Sequence, residues 1–409
     1  MFVVALAMSV TAGACGSSGS HATGGHGGAG GAGTGAGGTA AGIPLAGVAS
    51  ISAGRSFACA VLTDGTVRCW GENDAGELGS TSDTLGLQCG SNACVATAIP
   101  VTGLVGATAV STGNASACAL VAPGKVACWG DNTNGQLGTG TTVSSPTPVG
   151  VAGLTVAATA ISAGDEFACA LLVGGGAACW GGNVYGNLGT GNITSAPAPI
   201  APMGLANITA ISASNGRTCA LLGGTVNCWG DNRLGELGVG TTNDSYLPVA
   251  VPGLAAVTAI SAGGFLTCAL LADTTVQCWG DNQFGELGTA AGTTTPVPMP
   301  VAVAGLTNVT AISAGREGGY FACALLADTT VVCWGQNNLG QLGNGTTTNS
   351  ATPVPVVGLT GVVAISTGND FACGLLAGGT VNCWGRNNEG QLGNGTTVNA
   401  TTPVVVKTL

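Results

Sequence analysis

Charge is the scarcest commodity in this sequence. Of 409 residues only 6% are Asp, Glu, Lys or Arg, where a soluble domain commonly carries about a quarter. The eight cations, Arg55, Arg68, Lys125, Arg217, Arg233, Arg316, Arg386 and Lys407, are scattered. A nucleic-acid reader clusters such residues to neutralise phosphates, so no nucleic-acid partner is expected. The two histidines, His21 and His26, both sit in a Gly-rich leader. The body therefore has no Ser-His-Asp or Cys-His pair and no histidine-type metal site. Paired carboxylates remain available for acid/base work, but Asp165 and Glu166, being adjacent, make a poor pair. The sequence reads as a non-enzyme with no cofactor and no metal. Aromatics are also few, at 4%, which leaves little for stacking on sugars.

Glycine, cysteine and repetition are what the chain has. All seven tryptophans fall in Cys-Trp-Gly triplets, at 70, 129, 180, 229, 279, 334 and 384. The unit is about 52 residues, and seven of them use up the chain after residue 42. Each unit parses into four short runs separated by Gly, Asp, Asn and Thr: PVxVxGL, VxAISAG, FACALL and TVxCWG. These are strand and turn signals. The uncharged stretch from Leu254 to Ala272 is long enough on paper to span a bilayer, yet it recurs in near-copy and is read as strands. The fold expected is all-β: a seven-bladed β-propeller of four-stranded antiparallel blades.

Fourteen of the 17 cysteines pair within repeats: Cys59/Cys69, Cys118/Cys128, Cys169/Cys179, Cys219/Cys228, Cys268/Cys278, Cys323/Cys333 and Cys373/Cys383. Six spacings are ten and one is nine. A spacing of ten needs an odd hairpin loop, such as Thr63-Asp64-Gly65, while Gly223-Gly224 makes a two-residue loop that shortens the interval by one. Both keep the cysteines opposite each other, so one disulfide per blade is expected. Cys89 and Cys94 occupy an insertion found only after the first Trp and staple it to itself.

Eight disulfides call for an oxidising compartment. Residues 1–15 read as a signal peptide whose Ala12-Gly13-Ala14-Cys15 resembles a bacterial lipoprotein cleavage site, with Cys15, odd among the 17, as the lipidated residue. Residues 16–42 are a Gly-rich flexible tether and 43–409 the propeller. The closing run Thr402-Pro403-Val404-Val405-Val406 matches the opening of an internal repeat, so the C-terminal strand is expected to pair into the first blade and close the ring.

After each Trp-Gly a loop keeps Gly-x-Leu-Gly, as in Asp281-Asn282-Gln283-Phe284-Gly285-Glu286-Leu287-Gly288. With this motif the sequence resembles the regulator of chromosome condensation repeat family, as a bacterial, cysteine-containing, lipoprotein-type member, over residues 46–409. The resemblance implies a seven-bladed propeller. Where that family has His before its Ala-Leu strand, this chain has Phe57, Ser116, Phe167, Arg217, Leu266, Phe321 and Phe371, and no residue carries over as a determinant of guanine-nucleotide exchange. The middle position of the motif is Glu77, Gln136, Asn187, Glu236, Glu286, Gln341 or Gln391. An amide serving as well as a carboxylate points to a hydrogen bond holding the turn, against calcium ligation.

The turns after Ile-Ser-Ala-Gly vary while their flanks stay fixed, and variation on a rigid frame is where binding sites live. Candidate partner-binding residues are Arg55, Asp165, Glu166, Arg217, Phe265, Arg316, Glu317, Tyr320, Asn369 and Asp370. The sixth turn is three residues longer and brings Tyr320. The functional expectation is an extracellular or cell-surface, lipid-anchored (outer-membrane) scaffold that binds a protein through one propeller face. The alternatives are a carbohydrate or cell-wall binding module and an exchange-type regulator like the family's eukaryotic members.

Overall fold

The computed structural model describes residues 42–80, 87–89, 92–290 and 294–408; Cys15, His21 and His26 lie outside them. All the regular structure described is β, arranged as seven antiparallel blades around an axis. In the second blade the inner strand is Ala107–Thr112, followed outward by Ser116–Val121, Lys125–Gly130 and Ser145–Gly150. The stretch from Leu254 to Ala272 holds the strands Val257–Ala262 and Leu266–Leu271. The four-strand count stands, but the grouping shifts. Each PVxV run is the outer strand of the blade whose Trp precedes it, because it pairs with the Cys-Trp-Gly strand, as Val149 does with Cys128.

The local chemistry of the hairpins gives each blade its frame. Directly opposite each other in register stand Cys59 and Cys69, Cys118 and Cys128, Cys169 and Cys179, and Cys219 and Cys228. The same holds for Cys268 and Cys278, Cys323 and Cys333, and Cys373 and Cys383. Every one of these pairs is bridged, with Cα atoms 4.0 to 4.1 Å apart. In the blade with the shorter spacing, Gly223 and Gly224 both take positive φ, 58° and 91°, and Leu222 pairs with Thr225 across a two-residue turn. In the first blade Gly65 takes φ 79° and closes the three-residue loop. Cys89 and Cys94 are joined as well.

The core is not one mass but seven clusters, each between neighbouring blades. Every cluster holds one wholly buried Trp against the disulfide of the blade before it. Trp129 packs with Cys59 and Cys69, Trp180 with Cys118 and Cys128, Trp229 with Cys169 and Cys179, and Trp279 with Cys219 and Cys228. Trp334 packs with Cys268 and Cys278, Trp384 with Cys323 and Cys333, and Trp70 with Cys373 and Cys383, which completes the circuit. The Gly-x-Leu-Gly loop wedges into the same seam. Each indole Nε1 donates to the carbonyl of its middle residue at 2.7 to 3.0 Å. The glycine after it leaves the indole room; a Cβ on Gly238 would come within 2.6 Å of Trp279. As the sequence suggests, the middle side chain holds the turn: Gln136, Glu236, Glu286, Gln341 and Gln391 each accept from the backbone N–H two residues earlier, as Glu77 does. Asn187 instead donates to Gly182.

Nearer the axis a second circuit runs from blade to blade. Ser52, Ser111, Ser162, Ser212, Ser261, Ser313 and Ser366 each accept, through Oγ, the backbone N–H of the next blade's inner strand. All seven bonds are present, so the loop is unbroken.

The end of the chain pairs into the first blade, as the terminal match suggests, but through Lys407–Thr408, which lies parallel beside Asn92–Pro100 and antiparallel to Ile43–Pro44. The preceding strand, Ala400–Val405, completes blade seven. Outer strands of blades two to seven carry proline within them, for example Pro146, Pro197, Pro248, Pro298, Pro353 and Pro403. Proline blocks further pairing at an edge. The outer strand of blade one has no proline before Pro100, and it is the one covered by extra strands.

Candidate functional site

Antiparallel alternation puts the seven Ile-Ser-Ala-Gly turns and the seven Trp-Gly loops at the same end of the ring. Among the described acids, only Asp64, Asp273 and Asp328 lie in the hairpin turns of the other end. There they are balanced by Arg68, Lys125 and Lys407, so the acidity of the molecule is concentrated at one end. A concavity of about 580 Å³ opens at the balanced end, lined by Leu104, Val105, Val121, Pro123 and Val156. It gathers one charged side chain, Lys125, and no convergent polar set.

At the acidic end the long sixth turn folds over the axis. Arg316 donates from Nη1 to the Ala163 carbonyl of blade three at 2.6 Å, and its own N–H donates to Gly368 of blade seven. Glu317 lies 3.5 Å from Arg55 of blade one, whose Nη1 donates to Asn114 of blade two. One turn thus ties four other blades together across the mouth. Asp165 faces it from blade three, half-buried. Burial and the neighbouring Glu317 push its carboxyl up to about 7, against the pull of Arg316 and Arg217. Glu317 is raised too, by burial and by Glu166 and Glu72, with Arg55 opposing. Glu317 Oε2 and Asn369 Oδ1 are buried without a hydrogen-bond partner among the described residues. The mouth thus gathers two carboxyls raised above their ordinary range beside two buried acceptor atoms.

Tyr320 closes the same turn at the rim. Its ring stacks on Phe265 of blade five, with centroids 4.7 Å apart, and meets Phe284 of the blade-five loop edge-on at 5.0 Å. Burial, then Asp281, Glu286 and Asp370, raise the Tyr320 hydroxyl above its ordinary value.

Of the residues expected to meet a partner, Arg55 and Glu166 are exposed, and Asp165, Phe265, Arg316, Glu317, Tyr320, Asn369 and Asp370 are half-buried at this end. Arg217 is a correction. It is wholly buried, donating to the carbonyls of Gly263, Gly264 and Leu266 and lying 3.7 Å from Glu236. It occupies the slot filled by Phe57 or Phe167 elsewhere and joins blades four and five from within. The paired cysteines stand apart from the site in the same way. Cys179, Cys278 and Cys333, each beside its blade's Trp, have no exposed surface, and their partners Cys169, Cys268 and Cys323 have almost none. A neighbouring blade's Trp covers each bridge, so these residues belong to the core and present nothing to a partner. Sequence reasoning missed Phe284, whose only signal is its place in a loop that returns to the same end. It also missed Tyr185, whose ring carries Arg233 with the guanidinium carbon 5.0 Å from the centroid.

A family model described as RCC1-like domain matches residues 81–409, and one for the regulator of chromosome condensation (RCC1) repeat matches 48–77. The ultraviolet-B receptor UVR8 of Arabidopsis thaliana is 30% identical over 156 residues, 37% of this chain and 33% of that protein. The E3 ubiquitin-protein ligase HERC2 of Homo sapiens is 36% identical over 110 residues, 26% of this chain and 2% of that protein. The chain thus matches a third or less of the length of these relatives. Among solved structures, human WBSCR16 superposes with a TM-score of 0.74 at 21% identity, over 84% of this chain and 94% of that one. Yeast RCC1 (Prp20), in complex with Kap60, gives 0.72 at 19%, over 90% and 86%. At these identities the structural likeness is one of fold.

Proposed function

The chain belongs to the RCC1-like domain family, and from that premise we propose that it is a recognition scaffold, working outside the cell, that binds a protein through its acidic end. The observation that carries the reading is the sixth turn. It is longer than its six counterparts, is fixed by contacts to four other blades, and sets charged and aromatic side chains beside each other on a rigid frame. Fold alone does not give function, but a relative built on this fold, yeast Prp20, is known with a protein, Kap60, bound. Eight disulfides are consistent with an extracellular setting, and lipidation at Cys15 would hold the ring at a surface on a Gly-rich tether. The glycan alternative has less to work with, since all seven Trp are buried.

The test is binding of the immobilised ring to the secreted and surface proteins of its host, measured one at a time. Binding lost in Tyr320→Ala and in Glu317→Ala but kept in Asp273→Ala, at the other end, is the expected result. A partner indifferent to the first two, or lost with the third, overturns the reading. Intact mass of protein from its host, before and after reduction, tests the anchor: eight bridges and an acylated Cys15 are expected.

A further inference from the structure

Two corners of the acidic end use the same loop and turn positions and differ in what fills them. Between blades three and four, Tyr185 stands two residues after the loop asparagine Asn183. Arg233 lies over its ring, held by Asp231 through Nε–Oδ1 and Nη2–Oδ2 contacts of 2.8 Å. The chain fills this aromatic and carboxylate corner with its own guanidinium.

Between blades five and six the equivalent loop aromatic is Phe284, two residues after Asn282. The turn that supplies Gly216 in the first corner supplies Tyr320 here, backed by Phe265, so three rings stand where the other has one. The position matching Arg233 is Asn338, which brings no charge. Three carboxyls act on Tyr320: Asp281, Asp370, whose Oδ1 accepts from Gln341 Nε2 at 3.3 Å, and the wholly buried Glu286, whose Oε1 has no hydrogen-bond partner among the described residues. Arg386, which acts on Asp370 from a distance, is itself engaged by Asn388 and Glu389.

We propose that this corner holds a lysine or arginine side chain of the protein partner, its cation against the Tyr320–Phe284 rings and its charge met by Asp281 and Asp370. The assignment rests on the recognition reading above and names the partner's chemistry: a basic surface with a protruding cation. Attraction between a cation and an aromatic face, strengthened by flanking carboxylates, accounts for the combination, and the filled corner at Tyr185 shows that the fold accepts it. The balanced charge of the opposite end gives a basic partner no comparable hold.

The probe is a labelled hexalysine peptide, with hexaserine as the uncharged control, titrated into the disulfide-bonded chain. Hexalysine binds and hexaserine does not. Tyr320→Leu, which removes the ring, weakens hexalysine binding about threefold to tenfold, and more than Tyr320→Phe, which keeps it. Asp370→Asn weakens it by a similar factor and carries the test if Tyr320→Leu fails to fold. Hexalysine that does not bind, or that binds Tyr320→Leu and Asp370→Asn as tightly as the parent chain, overturns the proposal. A host partner that needs the acidic end yet binds unchanged after its lysines are acetylated and its arginines blocked sinks the cation site and leaves the scaffold standing. Hexalysine bound at Tyr320 with no host partner found does the reverse.

Discussion

The indole Nε1 of Trp70, in the first blade, donates to the backbone carbonyl of Gln391, in the last, at 2.9 Å. It is the same bond that joins every other pair of neighbours, so the seam where the chain's two ends meet is built like the six continuous ones. Trp70→Phe removes this donor and leaves the Gln391 carbonyl buried and unpaired, at a cost of about 1 to 3 kcal/mol. Equilibrium denaturation should show the same loss for Trp70→Phe as for Trp334→Phe, whose acceptor is likewise the lone carbonyl of Glu286. A much larger loss at Trp70 would mean that the closing seam is weaker than the rest.

Gly238 is pressed against the next blade's tryptophan and takes φ +74°. Gly238→Ala strains the backbone and drives a methyl into Trp279, so a loss of about 2 to 4 kcal/mol is expected. Gly253, also at positive φ but with open space around it, separates the two causes: Gly253→Ala should cost only about 1 kcal/mol, the conformational part. The difference in denaturation midpoint between the two variants measures the blade seam directly.

Glu286 is wholly buried, and burial, with Asp281 adding, pushes its carboxyl up to about 7. A carboxyl whose folded value is raised binds its proton more tightly folded than unfolded. Its contribution is therefore intact below the unfolded value near 4.5, and stability falls as pH rises from there to about 7. In blade two the same position is Gln136, which donates to Asp131 at 2.7 Å. Glu286→Gln should find Asp281 in the matching place and raise stability at pH 8 by about 1 to 3 kcal/mol, with the gain vanishing near pH 5. Thermal melts across that range decide it; a gain independent of pH would refute the titration account.

Arg217→Phe installs the residue that four other blades carry, yet it should destabilise by about 3 to 5 kcal/mol. The substitution strips Glu236 of its cation and takes the guanidinium donor from the Gly263 carbonyl, while Gly264 keeps Asn215 Nδ2 and Leu266 keeps the Gly263 N–H as donors. Adding Glu236→Gln should recover part of the loss. Urea denaturation of the single and double variants forms the cycle that measures the Arg217–Glu236 coupling.

What the sequence discloses follows the range of the interaction. The disulfides and the lengths of their turns were legible because a hairpin is local: Cys219 and Cys228 face each other whenever Gly223-Gly224 makes a two-residue loop. The blade count was legible for the same reason, seven times over. Pairings that cross a coil were not. Val149 joins Cys128 and not the strand that follows it, and nothing within the run Pro146-Thr147-Pro148-Val149 states which neighbour it will choose. The mouth lay further out of reach. Arg316 meets Ala163 across the axis, 153 residues away in sequence, and Arg217 is an arginine with the burial of a phenylalanine, which composition at a variable turn cannot distinguish from a surface cation.

The prolines on the outer strands matter most when two rings collide. A net charge of -10 keeps copies apart only at a distance; at contact, a four-stranded blade offers its last backbone row to any strand that arrives. Here six of those rows are toothed with rings that have no N–H to give, and the seventh is already occupied by the chain's own ends. Crowding such molecules therefore gives a polymer of edge-paired strands no row on which to start.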